Sequence, residues 1–91
     1  MQNHCFFYIL RCSDNSYYIG TATDIKSRIK AHNDGKGANY TKIRRPVQLV
    51  YHEKFEMFEE AIRRERQVKK RSRAKKKALI NKDIESLKNL I

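Results

Sequence analysis

Two short apolar runs near the N-terminus, residues 6–10 and 17–19, are separated by the polar residues 13–15. Both runs are rich in aromatic and β-branched side chains, which favour extended backbone, and Asp-Asn is common in tight turns. The pattern therefore predicts an antiparallel β-hairpin.

The length of the hairpin turn decides which side chains share a face, because a shift of one residue moves every side chain of a strand to the other face. A turn of two or four residues puts Tyr8 and Tyr18 on opposite faces. A turn of three residues, with Asn15 left-handed and a bulge after it, puts both tyrosines on one face. In that register Leu10 pairs with Tyr18, and Gly20 lies opposite Tyr8. We predict the three-residue turn because it leaves the other face apolar, with Phe7, Ile9, Tyr17 and Ile19.

On the hairpin alone, ordinary strand packing explains the two tyrosines more simply than function does. The helix that is predicted next changes that picture. Thr23 or Asp24 can serve as its N-cap, and residues 33–35 signal its end. The stripe that faces the sheet carries Arg28 and His32 beside two isoleucines. Polar residues on such a stripe tend to mark functional sites, although Arg28 at the edge of the stripe and a hydrogen-bonded His32 also fit a structural role.

Residues 35–46 are predicted to form a basic surface loop. Its side chains can follow a phosphate backbone and stack on a base, and a solvated loop without a ligand fits the composition equally well. The candidate nucleic-acid contacts in this loop are Lys36, Asn39, Tyr40, Lys42, Arg44 and Arg45.

A third strand is predicted from Val47 to about Phe55. Simple alternation puts Val47, Leu49 and Tyr51 on one face of this strand and Val50 on the other.

A second helix is predicted from about Met57 to Lys70. Its apolar stripe consists of Phe58, Ala61, Ile62 and Val68. Glu65 falls on the same stripe, whereas Arg63, Arg64 and Arg66 are expected to point to solvent. An inward carboxylate is costly unless it has a metal or a basic partner, for which Arg28 is one candidate.

Two further helices are predicted in the C-terminal region. Ser72 can cap a helix from about Arg73 to Ile80, and Asp83 can cap a short one at about 83–90. The expected inward residues of these two helices are Ala74, Ala78, Leu79, Ile84, Leu87 and Leu90.

The charge of the chain indicates the class of its partner. Its 91 residues carry a formal charge of +11, and residues 63–77 hold ten basic side chains and one acidic side chain. This favours a polyanion, most often nucleic acid, with an anionic membrane surface as the rival. The candidate contacts in the basic segment are Arg63, Arg66, Lys69, Lys70 and Arg73. No apolar run approaches the roughly 18 residues of a membrane span, so we expect no membrane segment and a cytoplasmic location.

Cys5 and Cys12 are the only cysteines, and their odd separation predicts side chains on opposite faces of one strand. We therefore expect no disulfide between them and no structural zinc site.

These residues together resemble the GIY-YIG nuclease family. Residues 18–20 read Tyr-Ile-Gly, and residues 6–8 keep the tyrosine of the first half of the signature without its glycine. Arg28 ends a segment similar to the one that carries the family's catalytic arginine, and His32 matches a histidine that many members have one turn later. Glu65 ends a stretch similar to the one that carries the metal-binding glutamate. The resemblance covers about residues 5–79 and is closest to small stand-alone bacterial members, with which the chain shares the string HNDGKGANYT.

The resemblance implies hydrolysis of a phosphodiester with one divalent ion, Mg²⁺ or Mn²⁺, held by Glu65. Arg28 then binds the phosphate, and Gly20 leaves room for that phosphate above the sheet. Tyr8 and Tyr18 orient or deprotonate the water, and the choice of the base among the tyrosines and the histidine stays open. The catalytic set implied by the resemblance is Tyr8, Tyr18, Arg28, His32 and Glu65.

Two features depart from the family pattern. Phe6 replaces the first glycine, and Thr21 stands where the excision-repair branch has a lysine. The chain also lacks the additional domains that direct other members to their targets. Specificity must then come from its own basic surface, be low, or be supplied by a protein partner.

We therefore expect an α+β fold in a single domain of residues 1–91, with a core at about 5–80. A short three-stranded antiparallel sheet, hairpin first, is packed by helices. The expected function is a structure-selective or non-specific endonuclease acting on DNA rather than RNA. The alternative is a non-catalytic nucleic-acid-binding module with the same fold.

Overall fold

The computed structural model describes the backbone of residues 4–89 and the side chains of residues 4–82. It confirms the α+β fold, with three antiparallel strands in the order β2-β1-β3. The elements are β1 (Cys5–Arg11), β2 (Tyr17–Ala22), α1 (Ile25–Asn33), α2 (Asn39–Lys42), β3 (Gln48–Phe55), α3 (Phe58–Lys69) and α4 (Arg73–Asn89). None of the helices in this range is long and apolar enough to cross a membrane.

The three-residue hairpin turn is confirmed. Asn15 has a φ of 67°, and the Cys12 N–H donates to the Ser16 carbonyl at 2.8 Å. Tyr8 lies opposite Gly20 in the resulting register. Asp14 stabilises the turn further, because its Oδ1 accepts from the Ser16 N–H at 3.0 Å. These hydrogen bonds hold the pKa of the Asp14 carboxyl below its usual value.

The prediction for the faces of β3 is wrong because the strand contains a bulge. Ile9 of β1 pairs with Tyr51, but the next residue, Leu10, pairs with Leu49. Val50 is therefore an extra residue, and an extra residue reverses the alternation beyond it. Leu49 packs on one face of the sheet, whereas Val50 and Tyr51 pack on the other.

Apolar clusters cover both faces of the sheet. One contains Phe7, Ile9, Ile19, Val68 and Leu79, and so joins the hairpin to α3 and α4. The other contains Tyr8, Leu10, Cys12, Ala22 and Val47, with Ile25 and Ile29 of α1 against it. The two cysteines are buried and free, which agrees with the sequence prediction.

Helix α1 begins and ends as predicted. Asp24 is its N-cap, and the Asp24 Oδ1 accepts from the Ser27 N–H at 3.1 Å. Gly35, with a φ of +79°, follows the helix end and supplies the left-handed conformation that closes many helices.

The predicted loop 35–46 contains the one-turn helix α2, which sequence periodicity does not indicate. A single turn has too few residues for an apolar stripe and is too short to be stable on its own. Its Thr41 is fully buried. The turn is therefore held by tertiary contacts that are described with the site.

Several predictions for α3 are corrected by the structure. Phe58 begins the helix but is 55% exposed, so it does not belong to the buried stripe. Arg64 does not point to solvent, because its Nε and Nη2 each donate to a Glu53 oxygen of β3 at 3.0 Å. Ala61 and Val68 are fully buried, as expected.

The two predicted C-terminal helices form one continuous helix, α4. Asp83 therefore lies within a helix and is not its N-cap. An Asn or Asp in a helix interior lowers helix stability by well under about 1 kcal/mol, and the segment contains neither Gly nor Pro, so the helix continues through it. The cap at Ser72 is confirmed, since its Oγ accepts from the Lys75 N–H at 3.3 Å. Ala74 and Ala78 are exposed, in contrast to the prediction. The expected positions of Ile84, Leu87 and Leu90 lie outside the described side chains.

Candidate active site

The phenol of Tyr8 lies across the sheet above Gly20. A Cβ added to Gly20 would lie 2.6 Å from the Tyr8 Oη, which is far inside van der Waals contact. Gly20 belongs to strand β2 and not to a turn, and the space above it is filled by Tyr8. The expectation that this space is left for a phosphate is therefore wrong. The absence of a side chain at Gly20 instead determines where the Tyr8 hydroxyl lies.

Tyr8 is the first member of a buried hydrogen-bonded chain. Its Oη is 3.1 Å from Nε2 of His32, and Nδ1 of the same ring is 2.7 Å from Oγ1 of Thr41. Tyr8 and His32 are 2% and 1% exposed. The Thr41 Oγ1 in turn donates to the Ala38 carbonyl at 3.0 Å. The chain thus connects β1, α1 and α2.

The direction of each hydrogen bond in this chain follows from its last member. A carbonyl oxygen can only accept, so the Thr41 hydroxyl proton is directed to Ala38. The Thr41 oxygen then accepts from the ring, which places the proton of neutral His32 on Nδ1. Its Nε2 is left as an acceptor, and the Tyr8 hydroxyl must donate to it. The Tyr8 oxygen keeps its own lone pairs for another donor.

Gly37 packs directly against the His32 ring. A Cβ at this position would lie 2.3 Å from Nδ1, so any larger residue would displace the imidazole or the backbone before α2. The catalytic set predicted from the sequence did not include Gly37 or Thr41. The signal was present in the string HNDGKGANYT, which contains both residues and His32.

The ring of Tyr18 also lies against the imidazole of His32. Its ring centroid is 5.0 Å from that of His32 and 6.2 Å from that of Tyr40, with the two tyrosine rings 27° apart in plane. The Arg44 guanidinium lies 3.9 Å from the Tyr40 ring centroid, and its Nε donates to the Asp14 carboxylate at 3.0 Å. The aromatic group is thereby tied to the hairpin turn.

Arg28 and Glu65 bring opposite charges to the two phenols. The Arg28 guanidinium lowers the pKa of both tyrosines and the Glu65 carboxylate raises it, so both groups lie within electrostatic range of both hydroxyls. Arg28 is exposed at the edge of α1, and the Glu65 side chain of α3 is 18% exposed. Tyr8 and Tyr18 thus both lie against His32, and Arg28 and Glu65 act electrostatically on both phenols.

Burial keeps the titratable groups of the site neutral. It raises the pKa of Tyr8 well above its ordinary value of 10.0, and the neighbouring Tyr18 raises it further. Burial also raises the pKa of Tyr18. The pKa of His32 is lowered by burial and then by the Arg28 charge. At neutral pH the site thus holds two phenols and an uncharged imidazole.

Glu65 is the carboxylate at the site that a metal can use. Its nearest charged neighbour is Lys69, whose Nζ lies 3.8 Å from Oε1, whereas Glu53 is fully engaged by Arg64. The described residues contain no group of three or more His, Cys, Asp or Glu side chains that could hold an ion. One carboxylate suits Mg²⁺, which often binds one or two carboxylates and completes its shell with waters and substrate phosphate. The donor set therefore fits a single hard ion and not a zinc cage.

The predicted nucleic-acid contacts fall into two groups. Arg44 and Arg45 are used within the fold, since Arg45 donates to the carbonyls of Lys42 and Asn33 at 2.9 and 3.3 Å. The Arg73 guanidinium stacks 4.4 Å from the Tyr17 ring centroid. The others are exposed on α2 and α3 and in the segments next to them; they are Lys36, Asn39, Tyr40, Lys42, Arg63, Arg66, Lys69 and Lys70.

The chain belongs to the GIY-YIG catalytic domain family, whose model matches residues 4–78. Among curated proteins it is 54% identical over 81 residues to UPF0213 protein SSP2268 of Staphylococcus saprophyticus, which covers 89% of this chain and 98% of the relative. It is 50% identical over 78 residues to UPF0213 protein YazA of Bacillus subtilis, and the match covers 86% of this chain and 79% of the relative.

Solved structures support the same assignment. The solution NMR structure of the UPF0213 protein BH0048 from Bacillus halodurans is 47% identical, with a TM-score of 0.57 over 86% of this chain and 83% of that one. The solution NMR structure of EF2693 from E. faecalis is 37% identical, with a TM-score of 0.60 and 90% of each chain covered. The family is thus a nuclease family, and these relatives are small bacterial proteins.

Proposed function

We propose that this protein is a divalent-metal-dependent DNA endonuclease that hydrolyses phosphodiester bonds with structure-selective or no sequence specificity. The observation that carries the proposal is the buried chain from Tyr8 through His32 to Thr41, with the charges of Arg28 and Glu65 acting on Tyr8. A protein that only binds nucleic acid has no evident need for the inward carboxylate of Glu65, whose side chain is 18% exposed.

The hydrogen-bond directions supply a route for the proton of the attacking water. A phenol with a raised pKa is a poor source of phenolate at neutral pH. Tyr8 can instead accept the water proton on its oxygen while its own proton moves to Nε2 of His32. No phenolate then has to form in the buried site. His32 is the final acceptor in this scheme, and Thr41 stabilises the imidazolium through its oxygen.

The remaining residues act on the phosphate. Arg28 is always charged and its fork-shaped guanidinium suits two phosphate oxygens. Tyr18, whose ring lies against the imidazole, would orient the water or a phosphate oxygen. Glu65 would hold one Mg²⁺ or Mn²⁺, which would neutralise charge that develops on the phosphate and the leaving oxygen.

The charge distribution supports nucleic acid as the substrate, and the family favours DNA over RNA. Most of the predicted contacts are exposed basic residues, which can bind a phosphate backbone. We further propose that the protein acts in the cytoplasm and that a protein partner can supply specificity.

The test is cleavage of labelled duplex, single-stranded and branched DNA, with RNA counterparts, in Mg²⁺, Mn²⁺ or EDTA. Wild type should cut in either metal, and Glu65→Gln should abolish cutting while it leaves binding in EDTA intact. Arg28→Ala and Tyr18→Phe should abolish cutting as well. Glu60→Gln is the matched control, because Glu60 is an exposed carboxylate in the first turn of the same helix. Binding without cutting on every substrate would refute the proposal and favour a non-catalytic binding module.

A further inference from the structure

Strand β2 forms one edge of the sheet, and a small cavity opens beside it. The cavity has a volume of about 210 Å³. Its lining residues are Tyr17, Tyr18, Ile19, Tyr40, Lys69 and Lys76. Since Tyr18 belongs to the catalytic set as well, the cavity shares one residue with the candidate active site.

Two of the aromatic walls are held by arginines that do not line the cavity. The guanidinium of Arg44 is 3.9 Å from the ring centroid of Tyr40, and that of Arg73 is 4.4 Å from the ring centroid of Tyr17. Cation–π contacts of this kind restrain the rings. Each of these two rings thus has an arginine partner outside the cavity.

The charged residues that line the cavity are both cationic. Lys69 comes from the end of α3 and Lys76 from α4, and no acidic side chain is among the lining residues. Lys69 is 55% exposed, and its Nζ is 3.8 Å from the Glu65 carboxylate. An anionic ligand in the cavity would meet both lysines.

From these observations we propose that the cavity binds one unpaired nucleobase of the substrate strand, with the two lysines on its neighbouring phosphates. Its volume lies below the roughly 300 Å³ at which pockets for larger ligands begin, which suits a single planar ring system. Aromatic walls with a basic rim are the usual means of binding a single-stranded nucleotide. A base inside a duplex is stacked and paired, and cannot reach such a cavity.

This inference rests on the proposed function and names its substrate class. The base site shares Tyr18 with the catalytic residues, so the bound nucleotide lies directly beside the bond that is cut. The preferred substrate is accordingly a nucleic acid with an unpaired nucleotide next to the scissile phosphate, as at a flap or a fork.

The inference is tested by binding in EDTA, which separates it from catalysis. Three fluorescent DNAs are compared: a fork, the same fork with an abasic residue at the first unpaired position on each arm, and the matching duplex. Wild type should bind the intact fork at least about fivefold more tightly than the abasic fork, which corresponds to about 1 kcal/mol of base stacking. Tyr40→Leu should lose this preference and Tyr40→Phe should keep it.

The lysines are tested with the same three ligands at several salt concentrations. Lys76→Gln should weaken binding and reduce the slope of log K against log salt by about 0.7–0.9, the value for one phosphate contact. Lys54→Gln is the control, because Lys54 is an exposed lysine on β3 at the other edge of the sheet. It should bind all three ligands as wild type does.

The base site is refuted if wild type binds the intact and abasic forks equally, whatever the cleavage assay shows. Cleavage in Mg²⁺ without base preference would leave the nuclease proposal standing alone. Base preference without cleavage would support the site and refute the nuclease proposal.

Discussion

Replacement of Thr41 by valine tests the direction of the buried hydrogen-bond chain. Valine has nearly the same shape as threonine but neither accepts from Nδ1 of His32 nor donates to the Ala38 carbonyl. The ring must then leave a buried N–H without a partner or move its proton to Nε2. In the second case Tyr8 can no longer donate to the ring.

The expected loss of stability follows from the burial of these groups. Thr41 is fully buried and His32 is 1% exposed, so water cannot replace the lost acceptor without a rearrangement. A buried polar group that loses its partner costs about 1–3 kcal/mol. For a domain of this size each kcal/mol lowers Tm by about 4–8 °C.

The assay combines urea unfolding with ¹⁵N NMR of the imidazole. Wild type should show neutral His32 with its proton on Nδ1, and Thr41→Val should move the proton to Nε2. Thr41→Ser keeps the hydroxyl and should restore the wild-type tautomer. Thr23→Val is the matched control at an exposed threonine before α1 and should change neither stability nor tautomer. A wild-type ring protonated on Nε2 would refute the assigned directions and the proton route built on them.

Three further predictions concern the fold around the site. Gly20→Ala should lower the free energy of unfolding by about 1–3 kcal/mol, because the added Cβ would lie 2.6 Å from the Tyr8 Oη. Urea unfolding measures this loss, and a variant as stable as wild type would contradict the prediction. The pKa of His32 is lowered in the fold from its ordinary 6.5, so the unfolded chain binds the proton first and stability should fall as pH decreases below about 6.5. Urea unfolding at pH 5 and at pH 7 measures this loss of stability. In the His32→Asn variant, the free energies of unfolding at the two pH values should differ much less than in wild type. Glu53→Gln removes the negative charge of the partly buried ion pair with Arg64. It should lower the free energy of unfolding by about 1 kcal/mol, a loss between those typical of exposed and of buried ion pairs. Glu56→Gln, at an exposed position just beyond the same strand, should cost nothing measurable.

The residues of the candidate site were largely predictable, but their contacts were not. The register that brings Tyr8 and Tyr18 together followed from the apolar pattern of the opposite face of the hairpin, and the helical spacing of Arg28 and His32 followed from periodicity. Glu65 was visible as a carboxylate on an apolar stripe. Periodicity could not show that Tyr8 fills the space above Gly20, because that contact depends on the rotamer of a side chain across the sheet.

Two of the errors have a common cause. The bulge at Val50 arises where β3 pairs with β1, and Arg64 of α3 pairs with Glu53 of β3. Both features depend on contacts between separate segments of the chain. A pattern of apolar positions describes one segment at a time, so it contains no information about such partners. The break predicted in α4 was wrong for a different reason. Asp83 was interpreted as the N-cap of a separate helix, but a single Asp has only a small effect on helix stability.

The amino-acid sequence alone determined the hairpin and its register, the capped helix α1 and the basic charge. These features depend on turn chemistry, periodicity and charge, which act between residues that are close along the chain. Only the tertiary structure decided that Thr41 and Gly37 enclose His32, that Tyr8 donates to its ring, and that β2 has a cavity at its edge. Those features are hydrogen bonds and packing between α2, α1 and the sheet, which exist only once the chain has folded.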